Sequence, residues 1–241
     1  MKAGTNQQIL NSQEGCRPKE LHPVRLTLRI ATGFLIAAGL NFTSISSAHA
    51  AEPIPTIRIA VLNFTEATPQ TIATAEREAG RILGDAGLNV VWVNCPLGNT
   101  AVDPTDPCQQ RPGPSHVFLR LLGQTRQGFQ DSIYGFAVLP AMASVYYGSA
   151  VQLARDYRAE MIGLPTILGC VMAHEIGHLL LGSNSHSATG IMQAHWGRKQ
   201  VRDLMKGTFL FTPQQSKVIR AEGQARMNFE MAQVHTAGSI S

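Results

Sequence analysis

The sequence predicts an α+β domain in which one mixed sheet is covered by helices, with the chemistry concentrated on a single apolar helix. Three observations lead there. A strand–helix–strand order opens the chain, short β-rich runs follow it, and two well-punctuated helical patterns close it. The chain has 241 residues, 44% hydrophobic and 15% charged, which suits one globular domain with a real core.

Residues 56–64 alternate and are rich in Ile and Val, the signature of a strand. Thr68-Pro69 then opens a helix, with threonine as N-cap and proline at the first helical position. Ile72, Ala75, Ala79, Ile82 and Leu83 share one face of it, and Gly87 stops it. A second strand is expected over 88–94 and a long loop rich in Pro, Gly and Asp over 96–115. Strands follow over 116–122, 133–139 and 143–147, then a helix-like stretch over 151–161. A helix over 165–181 ends at Gly182, and the last runs from Thr212-Pro213 to about residue 232, with Gln215 completing a capping box. No internal repeat or low-complexity segment interrupts this order.

The first fifty residues read as a leader. Lys19, Arg25 and Arg29 precede an apolar run over 30–40, and small and polar residues follow, ending Ala48-His49-Ala50. That is the order of a secretory signal peptide with an A-x-A cleavage site, so residues 1–50 are expected to be removed and 51–241 to form a single catalytic domain. Asn41, Thr43 and Ser44 break the apolar run well short of the roughly 20 residues that span a bilayer, so no stable membrane anchor is expected. The protein is expected to be secreted or periplasmic, and monomeric. The leader holds five of the 20 basic residues and two of the 16 acidic ones, leaving 15 against 14, a net charge of +1. With no basic stripe interleaved with aromatics, nucleic acid is not an expected partner. In an oxidising compartment Cys95 and Cys108 can close their loop as a disulfide, which leaves Cys170 as a small buried core residue.

The run His174-Glu175-Ile176-Gly177-His178 lies inside the 165–181 helix. Histidines four apart on a helix are separated by about 6 Å along the axis and roughly 40° around it, so both imidazoles can meet one ion at about 2.0–2.1 Å. Glu175, roughly 100° round from His174, can reach water beside that ion without ligating it, the position of a general base. Tetrahedral zinc then needs one more protein ligand. His186 is favoured, because Gly182 allows the chain to turn back and the loop to His186 is short. His195, in Met192-Gln193-Ala194-His195-Trp196, is the competitor.

The stretch from His174 through Gly182 to His186-Ser187, followed by Gly190-Ile191-Met192, resembles the metzincin clan of zinc metallopeptidases, and within it the matrix-metalloproteinase-like branch. The resemblance implies one catalytic Zn2+ held by His174, His178 and His186, Glu175 as general base, and Met192 in a turn beneath the metal. It also implies a mostly parallel sheet with an antiparallel edge strand, an active-site helix and a C-terminal helix. The run Gly135-Phe136-Ala137-Val138-Leu139-Pro140 is similar to the family's edge strand, along which a peptide or protein substrate pairs as an added strand. One departure stands out: the family has two residues on each side of the glycine, and here there are three, so the helix must run longer and the turn wider. No cysteine-bearing pro-segment and no histidine- and aspartate-rich segments for structural metals are evident.

The expected reaction is hydrolysis of a peptide bond. The rivals are a zinc amidase using the same helix and a non-catalytic exported zinc-binding module. A third is an enzyme of the gluzincin type with a later glutamate as ligand, for which Glu222 lacks a suitable context.

Overall fold

A computed structural model describes residues 53–98, 103, 105–123, 134–157, 163–182 and 184–238. The leader expected over 1–50 lies outside them. All of the described residues fall in one unit, His49–Ser241.

Among the described residues five strands form one sheet: β1 (Thr56–Phe64), β2 (Asn89–Cys95), β3 (His116–Leu122), β4 (Gly135–Val138) and β5 (Met142–Tyr146). Their spatial order is β2-β1-β3-β5-β4. The β1–β2, β1–β3 and β3–β5 pairs are parallel and β4 is antiparallel to β5, so the antiparallel strand lies at the edge. Alternation in the sequence is what buries one face. Ile57, Ile59 and Val61 of β1 and Val117, Leu119 and Leu121 of β3 are essentially inaccessible.

The helices are α1 (Pro69–Asp85), α2 (Tyr147–Asp156), α3 (Gly163–Leu181), α4 (Arg198–Met205) and α5 (Pro213–Gly238). The Thr68 hydroxyl accepts the Thr71 N–H and caps α1. The unbroken run Ile167–Leu180 of α3 is buried, because α3 packs against α1, α2, α5 and the β4–β5 pair. By length and composition α3 could cross a membrane, yet 78% of its most apolar stretch is buried inside the fold. It is apolar all round because it is the core helix. The mixed, mostly parallel sheet with one antiparallel edge strand and these helices is consistent with a zincin-like fold.

Three expectations need correction. The helix-like stretch placed at 151–161 begins earlier, at Tyr147, directly off β5; Ser149, Ala150 and Leu153 bury its inner face. Residues 158–161 of that stretch lie outside the described residues. Helix α4 was not expected: its only apolar anchors are Val201 and Leu204, one turn apart among charged residues. Helix α5 runs on to Gly238 instead of stopping near 232. Cys95 and Cys108 form a disulfide, and Cys170 is free and buried. Burial raises the pKa of that thiol far above its ordinary value, so it is inert.

Candidate metal centre

His174 and His178 project from the same face of α3, with their Nε2 atoms 3.1 Å apart. His186 arrives from the loop beyond the helix. Gly182, at φ 95°, turns the chain out of the helix, and its N–H closes the final turn on the His178 carbonyl at 3.1 Å. One ring nitrogen from each of His174, His178 and His186 lies within 4.8 Å of the others. Among the described residues this is the only such group of His, Cys, Asp or Glu, and these three histidines could bind a metal ion. His174 and His178 are buried and His186 is exposed, giving the centre an inner wall and an open side. His195 is exposed and not part of the group, and Glu222 is occupied instead by Arg226 on α5, at 2.8 Å.

The hydrogen bonds around the rings test whether a cation fits. His174 Nδ1 lies 2.8 Å from the Ile191 carbonyl oxygen, which can only accept. The ring must therefore donate from Nδ1, leaving Nε2 as a lone pair directed towards His178. His178 Nδ1 is 2.9 Å from the Ser185 hydroxyl, which can hold that ring in the same tautomer. Burial, opposed by the bond to Ile191 and reinforced by the other two histidines, lowers the His174 pKa to about 3. Burial together with His186 lowers that of His178 to about 4. Both rings are thus neutral at physiological pH, the form that binds a metal. Three imidazoles around one point make a donor set that suits zinc.

Glu175 is 3% exposed, and burial raises its carboxyl pKa to about 8. Its side chain lies under β4: a Cβ added at Gly135 would run into the Ser144 carbonyl oxygen and lie 2.8 Å from Cγ and Cδ of Glu175. Only glycine lets the edge strand pass so close to this carboxylate. Below the histidines, Ile191 and Met192 are fully buried. Gly177, between the two helix histidines, is where Met192 Sδ and the Phe211 ring press on α3.

Several contributors were not foreseen. Trp196 packs edge-on to His174 with ring centroids 5.7 Å apart, and is itself packed by Tyr134 and Phe209 at 4.9 Å each. Arg226, buried on α5, donates through Nη2 to the Leu179 carbonyl at 3.0 Å and the Pro140 carbonyl at 3.1 Å. That joins the end of α3 to the turn after β4. Ser185 had a visible signal in its position between Gly182 and His186, whereas Arg226 had none, since its partners are 47 and 86 residues away. A separate cavity of about 350 Å³, lined by Arg58, His116, Met227, Glu230 and Met231 among others, is not lined by any of the three histidines or Glu175.

No protein-family model matches the sequence, and comparison with curated proteins finds no match. Among solved structures the chain is similar to a zinc-dependent peptidase from Methanocorpusculum labreanum (strain Z). The identity is 14% and the TM-score 0.42, over 67% of this chain and 99% of that one. A likeness of that degree does not say what this chain does.

Proposed function

We propose that the chain is an exported zinc-dependent metalloendopeptidase of metzincin type, with His174, His178 and His186 as zinc ligands and Glu175 as general base. The observation that carries this reading is the convergence of three imidazoles within 4.8 Å beside a buried carboxylate on the same helix. A purely structural site needs no such base. Zinc in a three-histidine site supplies Lewis acidity, which polarises a carbonyl and makes water nucleophilic near neutral pH.

The chain's own residues then have defined tasks. Glu175 takes a proton from the attacking water as its oxygen bonds to the scissile carbonyl carbon, and delivers it to the amine nitrogen as the C–N bond breaks. Burial raises the proton affinity of Glu175, and it is the ionised form of this carboxyl that serves as the base. Strand β4 pairs only with β5 among the described strands, so its other edge can take an extended peptide as an added strand. The exposed side chains of Phe136, Val138 and Leu139 would meet that peptide's side chains. The Cys95–Cys108 disulfide is compatible with an oxidising compartment and supports export. Neither the fold nor the comparisons favour the matrix-metalloproteinase-like branch over others of the clan.

The test is Glu175→Gln, assayed for bound metal and for cleavage of casein or a peptide library. The variant is expected to keep one zinc per chain and lose nearly all hydrolysis, because an amide cannot accept the proton. Full activity in a metal-replete variant would remove Glu175 from its role. A wild-type chain that binds zinc but cleaves no peptide would favour the non-catalytic module.

A further inference from the structure

Gln215 entered as a capping-box residue, but its side chain does two things. Its Oε1 accepts the Thr212 N–H at 3.0 Å, while its own N–H bonds the Thr212 hydroxyl at 3.3 Å, which completes the cap of α5. With the carbonyl end of the amide so committed, Nε2 points the other way, into the loop that carries His186. It donates to the Ser187 hydroxyl oxygen at 3.1 Å and approaches the Ser185 carbonyl oxygen at 3.5 Å.

The chemistry at Ser187 leaves no ambiguity about direction. The serine's single hydroxyl proton goes to the Thr189 carbonyl at 2.8 Å, so only lone pairs face Gln215. The Ser187 N–H bonds the Met192 carbonyl at 2.9 Å, so the same residue also closes the loop onto the methionine turn. Ser185, on the other side of His186, holds the His178 ring. One amide nitrogen therefore braces both neighbours of His186, the exposed one of the three histidines. It does so from the first turn of a 26-residue helix that Arg226, eleven residues on and so on the same face, anchors to α3.

We propose that Gln215 is a positioning residue for the metal centre, holding His186 and Ser185 in place through its amide nitrogen independently of its capping role. This rests on the three-histidine reading above. Gln215→Glu separates the two roles. A carboxylate still accepts the Thr212 N–H and completes the box, but it cannot donate: it sets an oxygen against the Ser185 carbonyl, and it can pair with Ser187 only if that hydroxyl gives up its bond to Thr189.

The experiment measures zinc affinity by competition with a chromophoric chelator, together with the melting temperature of the metal-free protein. It compares the full chain, Q215E, S187A and the double variant. Q215E is expected to bind zinc about tenfold or more weakly, in the range for loss of a group that orients a ligand. Its metal-free melting temperature should stay within about 2 °C of wild type. S187A should also weaken binding, and the double variant should be little worse than Q215E, because both remove the same contact. Wild-type zinc affinity in Q215E, additive losses in the double variant, or a fall in stability that accounts for the loss would each overturn the proposal and leave the proposed function standing. A wild-type chain that takes up no zinc would overturn the three-histidine centre itself, and this proposal with it.

Discussion

Gly177 lies directly before His178 on α3, and Gly177→Ala is expected to destabilise the protein although alanine is the better helix former. A Cβ there would be 2.7 Å from Met192 Sδ, 2.7 Å from Phe211 Cε1 and 3.1 Å from Phe211 Cζ. Ordinary non-bonded contact needs about 3.5–4.0 Å, so both neighbours must retreat by nearly 1 Å. Neither has room, with Met192 at 0% and Phe211 at 7% exposure. Overpacking of this kind costs about 1–3 kcal/mol, and the helix preference of alanine over glycine offsets about 1 kcal/mol of it. The net loss then runs from about zero to about 2 kcal/mol, centred on about 1 kcal/mol. Gly84 of α1 supplies the control, because a Cβ added there meets nothing within 4 Å. Gly84→Ala should therefore gain about 0.5–1 kcal/mol. Urea unfolding of the two metal-free variants at fixed pH should give shifts of opposite sign with unchanged m-values. A gain at Gly177 equal to that at Gly84 would refute the reasoning, since it would mean that Met192 and Phe211 yield freely.

The two candidate third ligands should part cleanly on substitution. His186→Ala should weaken zinc binding by orders of magnitude and abolish turnover, while His195→Ala leaves zinc bound; chelator competition decides, and the reverse order would sink the assignment of His186. A pH test concerns His116, away from the metal centre. Burial, with Arg58 adding to it and Glu230 opposing, lowers its pKa, and the neutral ring accepts the Gly113 N–H at 2.7 Å. A depressed folded-state pKa gives stability that is present above the unfolded value of about 6.5 and is lost as pH falls below it. The stability advantage of wild type over His116→Asn should therefore shrink between pH 8 and pH 5, and a pH-independent gap would contradict it.

Much of this architecture was legible because it is locally encoded. The alternation in β1 and β3, the Thr68-Pro69 and Thr212-Pro213 helix starts and the stop at Gly182 each depend on neighbours a few residues away. The ends of β2, β4 and β5 lay within one or two residues for the same reason. Helix α4 escaped because three apolar residues among four charged ones, two of them adjacent, carry little periodic signal, and its start is marked only by the Gln200 side chain reaching the Gly197 N–H. The four-residue spacing of His174 and His178 brought their nitrogens together as expected, since helix geometry alone dictates it. The bonds that orient those rings could not be read in the same way. The Ile191 carbonyl, Ser185 and the Trp196 ring reach His174 and His178 only once the loop after α3 has folded back. Nothing in the type of residue at Ile191 marks its carbonyl as the partner of the His174 ring, because every residue has one.

Set against the metzincin pattern that the sequence resembles, the extra residue on each side of Gly182 indicates where the determinants of His186 lie. Helix α3 takes up the first by running to Leu181, and Gly182 then turns the chain out of the helix. His186 still joins the other two, so counting residues from Gly182 cannot be what fixes it. What fixes it is closure: Ser187 onto Met192 at 2.9 Å, Ile191 onto Leu210 at 2.8 Å, and Gln215 onto Ser187 at 3.1 Å. These bonds link the loop to itself and to the segment leading into α5, and they do not depend on the length of the stretch between His178 and Ser185. Loop closure costs little more free energy for one added residue. A change in spacing before His186 should therefore be tolerated, whereas a change at a closure point should move the imidazole even though the motif reads the same.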